Sequence, residues 1–318
     1  MKRIVVLGGG ISGYGSAILA KKKGFDVFLS DSGHIADRFR ERLDEWEVPY
    51  EEGGHTEERI LAASEVIKSP GIPETAPIVR RIREAGIPVI SEIEFAGRYI
   101  GRARCICVTG SNGKTTTTSL IYRILRDAGM NVALGGNIGE SFAYSVATGE
   151  YDWYVLELSS FQLMGMTQSA DIAVVTNLAP NHLDVHKDMA EYIAAKENVY
   201  LHQGKTGKLV VNMDNEITNS FAEKAPGMVE KFSRLGKPSN GVWLENGIIY
   251  RNGRRIMPAD DIKIPGVHNI ENYMAAACAT EGLATDADVD AVARSFGGVE
   301  HRIELVRELH GVKYYNDS

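Results

Sequence analysis

The 318-residue sequence predicts an α/β protein made of two parallel-sheet domains in succession. Three observations predict it. Short apolar strands alternate with helical stretches over residues 3–96, and a Gly8-Gly9-Gly10-Ile11-Ser12-Gly13 turn follows the first strand. A second glycine turn, Gly110-Ser111-Asn112-Gly113-Lys114-Thr115, follows a later apolar strand. Such alternation builds parallel sheets with right-handed crossovers, whose ligands collect at the carboxyl edge.

In chain order, strands are expected over 3–7, 26–30, 66–67 and 89–90, with helices over 12–23, 35–46 and 91–96. The first turn is formally G-x-G-x-x-G and Asp31 closes the second strand, the bare form of a dinucleotide fingerprint. Three readings stay open there: NAD(P), a UDP-type or other phosphate ligand, or a tight structural turn. Ser69-Pro70-Gly71-Ile72-Pro73 follows the third strand, either as a ligand loop or as a proline-fixed turn. A domain boundary is expected over 97–101.

The strand over 105–108 runs through Gly110 and Gly113 into a helix that buries Leu120, Ile121, Ile124 and Leu125 and stops at Gly129. Unpaired N–H groups and the macrodipole at that helix start make a polyphosphate cradle, with the loop amides converging on one point. Gly110, Ser111, Asn112, Gly113, Lys114, Thr115 and Thr116 are therefore the ATP candidates, Lys114 as the cation for the β/γ-phosphates and Thr115 as an oxygen for Mg²⁺. Val108 stands where the standard motif has its first glycine. Further strands are expected over 132–134, 153–156, 172–175 and 209–211, then a hairpin over 242–256 turning at Asn246-Gly247 and Asn252-Gly253. Helices over 188–201, 269–281 and 286–296 and strands over 302–308 and 312–315 complete the chain.

Composition narrows the partners. A net charge of −7 and a pI near 5.7 argue against non-specific nucleic-acid binding or a polybasic membrane contact, which leaves small molecules. Cys105, Cys107 and Cys278 have neither zinc spacing nor a disulfide framework, and no apolar run reaches the ~20 residues of a membrane span, so a cytoplasmic protein is expected.

Glu157 ends its strand at the edge that carries the phosphate loop, as a Mg²⁺ ligand or as a solvated carboxylate. His182 is the ligand candidate in Asn177-Leu178-Ala179-Pro180-Asn181-His182-Leu183-Asp184, with Asp184 and His186 read as solvated or loop-structuring. Lys196 falls inside the apolar stripe of Met189, Tyr192, Ile193, Val199 and Tyr200. Either it snorkels to water, or burial lowers its pKa and frees a neutral amine that can take up CO₂ as a carbamate, an oxygen ligand for a second Mg²⁺. Asn137 is a ligand contact or a left-handed turn residue; Ser159, Ser160 and Gln162 bind substrate or cap a helix. Asn269 is expected as a helix N-cap, and Asn272 as an adenine reader or a helix-surface amide.

These stretches, together with Gly136-Asn137-Ile138-Gly139, Leu156-Glu157-Leu158-Ser159-Ser160-Phe161-Gln162, His268-Asn269, His301-Arg302 and Asn316-Asp317-Ser318, resemble the Mur ligase family over the whole chain. The resemblance implies a Rossmann-like UDP-substrate domain over 1–98, a central P-loop ATP domain over 99–298, and over 299–318 the first strands of a third α/β domain. It implies a monomeric ligase whose partners are UDP-N-acetylmuramoyl-L-alanine, D-glutamate and ATP with two Mg²⁺ ions, working through an acyl phosphate. Lys114, Glu157, His182 and Lys196 would be catalytic, with Thr115 and Glu157 on one metal and His182 and carbamylated Lys196 on the other. Asn272, Arg302 and Asp317 would contact adenosine; Gly10, Ile11, Ser12, Gly13, Ser32 and Gly71 the uridine nucleotide; Asn137, Ser159, Gln162 and His182 the reacting substrate. With only the opening of the third domain, this piece is expected to bind UDP-substrate without ligating it.

Overall fold

A computed structural model describes residues 2–179 and 187–299, and the backbone of two strands beyond them. The chain begins β1 (Arg3–Leu7), α1 (Ile11–Lys22), β2 (Asp26–Ser30), α2 (Asp37–Glu45), β3 (Tyr50–Glu51), α3 (Glu57–Leu61), β4 (Glu65–Lys68), α4 (Pro77–Glu84), β5 (Val89–Ile90) and α5 (Glu92–Gly97). It continues β6 (Arg104–Thr109), α6 (Lys114–Asp127), β7 (Val132–Gly136), α7 (Phe142–Thr148), β8 (Trp153–Glu157), α8 (Ser160–Leu163), β9 (Ile172–Val175) and α9 (Met189–Glu197). Then come β10 (Lys208–Asn212), α10 (Glu216–Ser220), β11 (Met228–Ser233), β12 (Gly241–Glu245), β13 (Ile248–Arg251), β14 (Arg254–Pro258), α11 (Val267–Ala279), α12 (Asp286–Ser295), β15 (Glu304–Leu309) and β16 (Val312–Asn316).

Two compact units result. The first takes Met1–Ala103, Gly139–Glu150 and Phe161–Gln168. Its five strands are parallel in the order β3-β2-β1-β4-β5, so the order reverses between β1 and β4, and the Gly8 turn and the Ser69 loop leave the sheet side by side. Val5, Leu7, Phe28 and Val66 fill the space between sheet and helices. α7 packs on α1 within this unit. Its N-terminus is held by Glu92, a fully buried side chain that accepts from Ser141 Oγ at 2.5 Å and Ala143 N–H at 3.0 Å. Burial holds this carboxyl above the usual range despite those donors.

The second unit takes Arg104–Ile138, Tyr151–Ser160 and Ser169–Ser318. Its nine-stranded sheet runs β14-β13-β12-β11-β10-β9-β6-β8-β7, parallel except for the β12–β13–β14 meander, whose turns hold Asn246 and Asn252 at positive φ. Ile106, Val108, Val155 and Val174 are buried in long apolar strands, and α6 and α11 cover them through Leu120, Ile121, Ile124 and Tyr273. The α11 start corrects one expectation. Gly266, at φ +103°, precedes the first turn, and Asn269 lies inside that turn with Nδ2 donating to Pro265 O at 2.6 Å.

Candidate active site

β6 lies between β8 and β9, so its carboxyl end is flanked by theirs. Val108 pairs with Glu157, and Thr109 with Val175. Val108 is thus still sheet, which is why that position is not glycine. The turn itself depends on Gly113, whose φ is +78° and whose Cβ, were there one, would lie 2.3 Å from Asn272 Oδ1.

The loop amides do not all converge. Ser111 N–H donates to Asn177 O at 2.8 Å and Asn112 N–H to Asn177 Oδ1 at 3.1 Å. The donors left at the phosphate side are those of Gly113 and the first turn of α6, which have no intrahelical acceptor. The Ser111 hydroxyl is likewise held, by Ala179 N–H at 3.0 Å and by Tyr192 OH at 3.1 Å. Lys114 Nζ folds back to donate to Ser111 O at 3.0 Å. Thr115 is buried, and Thr116 is half-buried on the same turn.

Lys196 does not snorkel. Only 2% exposed, it donates from Nζ to Thr109 Oγ1 and to Gly110 O, each at 3.0 Å, beneath the loop. Burial first, and then the nearby Lys114 cation, bring its pKa down to about 7, with Glu157 pulling weakly the other way. Glu157 is not a solvated strand end either. It is 2% exposed; Oε1 accepts from Asn137 Nδ2 at 3.0 Å, and Oε2 is buried with no hydrogen-bond donor among the described residues. An orphaned carboxylate oxygen beside a phosphate cradle fits a hard cation. Asn137 has an ordinary negative φ, so the left-handed reading fails and its amide serves Glu157.

Asn272 is buried, not a surface amide: Oδ1 accepts from Thr117 Oγ1 at 3.2 Å, and Nδ2 donates to Asn269 Oδ1 at 3.1 Å. With Asn112, Gly113, Asn177, Phe232 and His268 it lines a pocket of about 90 Å³ next to the loop. Ser159 is half-buried and Gln162 buried, both just beyond Glu157. His182, Arg302 and Asp317, like Asp184 and His186, lie outside the described residues.

In the first unit Gly10 caps α1 without a side chain, leaving the helix's first amides open beside exposed Ile11. Gly13 packs so closely that a Cβ would sit 1.8 Å from Gly8 O. Asp31 braces this turn, with Oδ2 accepting from Gly9 N–H at 2.6 Å and Oδ1 from Gly33 N–H at 2.7 Å. Ser12 hydrogen-bonds Glu92, while Ser32 and Gly71 are exposed at the same edge.

Residues 2–91 match the MurD-like N-terminal domain of Mur ligases, and residues 108–280 match the Mur ligase middle domain. The chain belongs to the Mur ligase family. It is 45% identical over 331 residues to UDP-N-acetylmuramoylalanine--D-glutamate ligase of Bacteroides fragilis, covering 100% of this chain and 73% of that protein. The ligase of the same name from Clostridium botulinum is 43% identical, with 100% and 70% covered. Among solved structures, UDP-N-acetylmuramate:L-alanyl-gamma-D-glutamyl-meso-diaminopimelate ligase from Neisseria meningitides superimposes with a TM-score of 0.68 at 20% identity, over 94% of this chain and 99% of that one. UDP-N-acetylmuramate-alanine ligase from Thermotoga maritima gives 0.62 at 21% identity, over 99% and 73%. These two show the shared fold.

Sequence reasoning about this Mur ligase missed Thr176, Asn177 and Thr109 as loop supports. A Thr-Asn pair at a strand end reads as an ordinary turn until the strand order places it beside the loop. Among the described residues no helix is long and apolar enough to cross a membrane.

Proposed function

We propose that this chain is the uridine-nucleotide- and ATP-binding part of a Mur ligase that joins D-glutamate to UDP-N-acetylmuramoyl-L-alanine at the expense of ATP in the making of a peptidoglycan precursor. The L-alanyl carboxylate attacks the γ-phosphate, ADP leaves, and the amine of D-glutamate displaces phosphate from the acyl phosphate. The observation that carries the reading is the phosphate cradle flanked by a buried amine and a buried carboxylate with one oxygen lacking a donor among the described residues, in a chain more than 40% identical to ligases of that name.

Lys114 and the amides from Gly113 into α6 hold the polyphosphate, and Asn272 with its pocket takes the base. Thr115 and Glu157 hold one Mg²⁺, and His182 with Lys196 as its carbamate the other; the ions supply charge neutralisation of the transferring phosphoryl group. Lys196 suits carbamylation because its pKa of about 7 leaves much of the amine neutral at physiological pH. The amine nitrogen bonds to carbon of CO₂ and a proton leaves. Uptake of labelled bicarbonate, read by carbon NMR and lost in Lys196→Met, tests that step. The open α1 start and the Ser69 loop receive the uridine nucleotide, Asn137, Ser159 and Gln162 face the reacting substrate, and the protein works as a cytoplasmic monomer.

Calorimetry tests the whole. UDP-N-acetylmuramoyl-L-alanine should bind in preference to UDP-glucose, and ATP with Mg²⁺ should bind independently of it. Equal affinity for the two uridine compounds, or binding of NADH in their place, would overturn the reading.

A further inference from the structure

One side chain grips two successive peptide planes of the phosphate loop. Asn177 Oδ1 accepts from Asn112 N–H at 3.1 Å, and Asn177 Nδ2 donates to Asn112 O at 3.0 Å. Its backbone O takes Ser111 N–H at 2.8 Å, and Thr176 Oγ1 adds a donor to Asn112 O at 2.6 Å. No described peptide bond is cis, so the C=O and N–H of each unit point opposite ways. Asn112 N–H shares its unit with Ser111 O; Asn112 O shares its unit with Gly113 N–H. Holding both Asn112 groups toward Asn177 therefore turns Ser111 O and Gly113 N–H away from it. On that side Lys114 Nζ meets Ser111 O at 3.0 Å.

A flip of the second unit would present the Asn112 carbonyl, a partial negative charge, where an anion needs the Gly113 donor. We propose that Asn177 is a positioning residue that locks the loop in its anion-accepting form before nucleotide arrives. The inference rests on reading the loop as the ATP site. Asn177 is itself fixed from behind. Leu178 N–H donates to Asn215 Oδ1 at 3.3 Å and Leu178 O accepts from Asn215 Nδ2 at 3.1 Å, while Asn215 Oδ1 also caps α10 through Thr218 N–H at 3.1 Å. Two asparagine amides, each pairing with both groups of one residue's backbone, thus run from α10 to the loop. Donors arranged in advance cost no reorganisation when the charge arrives.

Asn177 also lines the pocket beside the loop, so a pocket-wall role is the competing account. ATP and AMP separate the two, because AMP senses the pocket but lacks the β- and γ-phosphates. Asn177→Ala should weaken ATP binding by calorimetry roughly 10- to 100-fold, the effect of losing one charge-assisted donor, and leave AMP affinity unchanged. Asn177→Asp, which keeps the acceptor and loses the donor to Asn112 O, should weaken ATP at least as much. Should neither variant fold, Asn215→Ala, outside the pocket, should give a smaller loss confined to ATP. Equal losses for ATP and AMP, or unchanged ATP affinity, would overturn the inference while leaving the ATP site standing. A wild-type protein that binds no ATP would sink both.

Discussion

Gly113→Ala measures how tightly the phosphate loop and the neighbouring pocket are built together. At φ +78° an alanine pays about 1–2 kcal/mol for left-handed backbone. Its Cβ would also lie 2.3 Å from Asn272 Oδ1, and to make room Asn272 must give up its bonds with Thr117 and Asn269, about 1 kcal/mol each. The whole comes to about 3–4 kcal/mol, a fall in melting temperature on the order of 10 °C for a unit of this size. Gly129→Ala is the control. It sits just past the other end of the same helix at φ +85° with nothing within 4 Å of its would-be Cβ, so it carries the backbone cost alone, about 1–2 kcal/mol. Thermal unfolding should separate the pair, and calorimetry should show ATP binding weakened more than tenfold in Gly113→Ala and untouched in Gly129→Ala. If the two variants match in melting temperature and in ATP affinity, loop and pocket are not coupled through Asn272, and the reasoning is wrong.

Lys196→Met should change how stability depends on pH. Unfolded, the lysine keeps its proton to about pH 10.5, and folded only to about 7, so between these values the unfolded state holds more protons and rising pH favours the folded one. In bicarbonate-free buffer the wild type should gain up to about 1.4 kcal/mol per pH unit relative to the variant from pH 7 to 9, by urea unfolding; a flat difference would contradict the buried amine. Glu157→Gln removes a buried carboxylate whose Oε2 has no donor among the described residues, so the melting temperature should not fall, while the Mg²⁺ dependence of ATP binding should weaken. A variant whose nucleotide affinity still rises with Mg²⁺ as in the wild type would remove Glu157 from the metal site.

Most of the sheets could be read from the sequence because their strands are buried on both faces: Val5-Val6-Leu7 and Ile172-Ala173-Val174-Val175 are unbroken apolar runs. β3 (Tyr50–Glu51) has only two residues and no apolar pattern, and its pairing with β2 is set by the sheet. The attachment of α7 to the first unit escaped for a related reason. Phe142, Ala143 and Ala147 announce a buried face without saying what covers it. At the site, Lys196 stood out because a lysine broke an apolar stripe, whereas the start of α11 was misplaced because Asn269 resembles a cap and Gly266 offers no side chain to recognise. Asn177 opens the run singled out for His182, but nothing local marks it as a support of the loop. Its importance comes from the crossover that sets β9 against β6, a relation between residues far apart in sequence.

The same crossover explains why the site is uncomfortable on its own. Placing β6 between β8 and β9 brings Glu157 to one flank of the loop and, from α9, Lys196 beneath it, both buried away from water. Lys196 and Lys114 repel, which is part of why the former holds its proton weakly, and Glu157 keeps a carboxylate oxygen with no described partner. Neither cost is needed for folding, since an apolar residue at 196 and an amide at 157 would pack without it. Both are relieved by the same event. On the proposed reading, a polyphosphate would draw Lys114 off Ser111 O and away from Lys196, and a cation travelling with it would give Glu157 Oε2 the partner that oxygen lacks among the described residues. Nucleotide and metal should therefore bind with positive coupling, each removing a penalty that the other would otherwise meet.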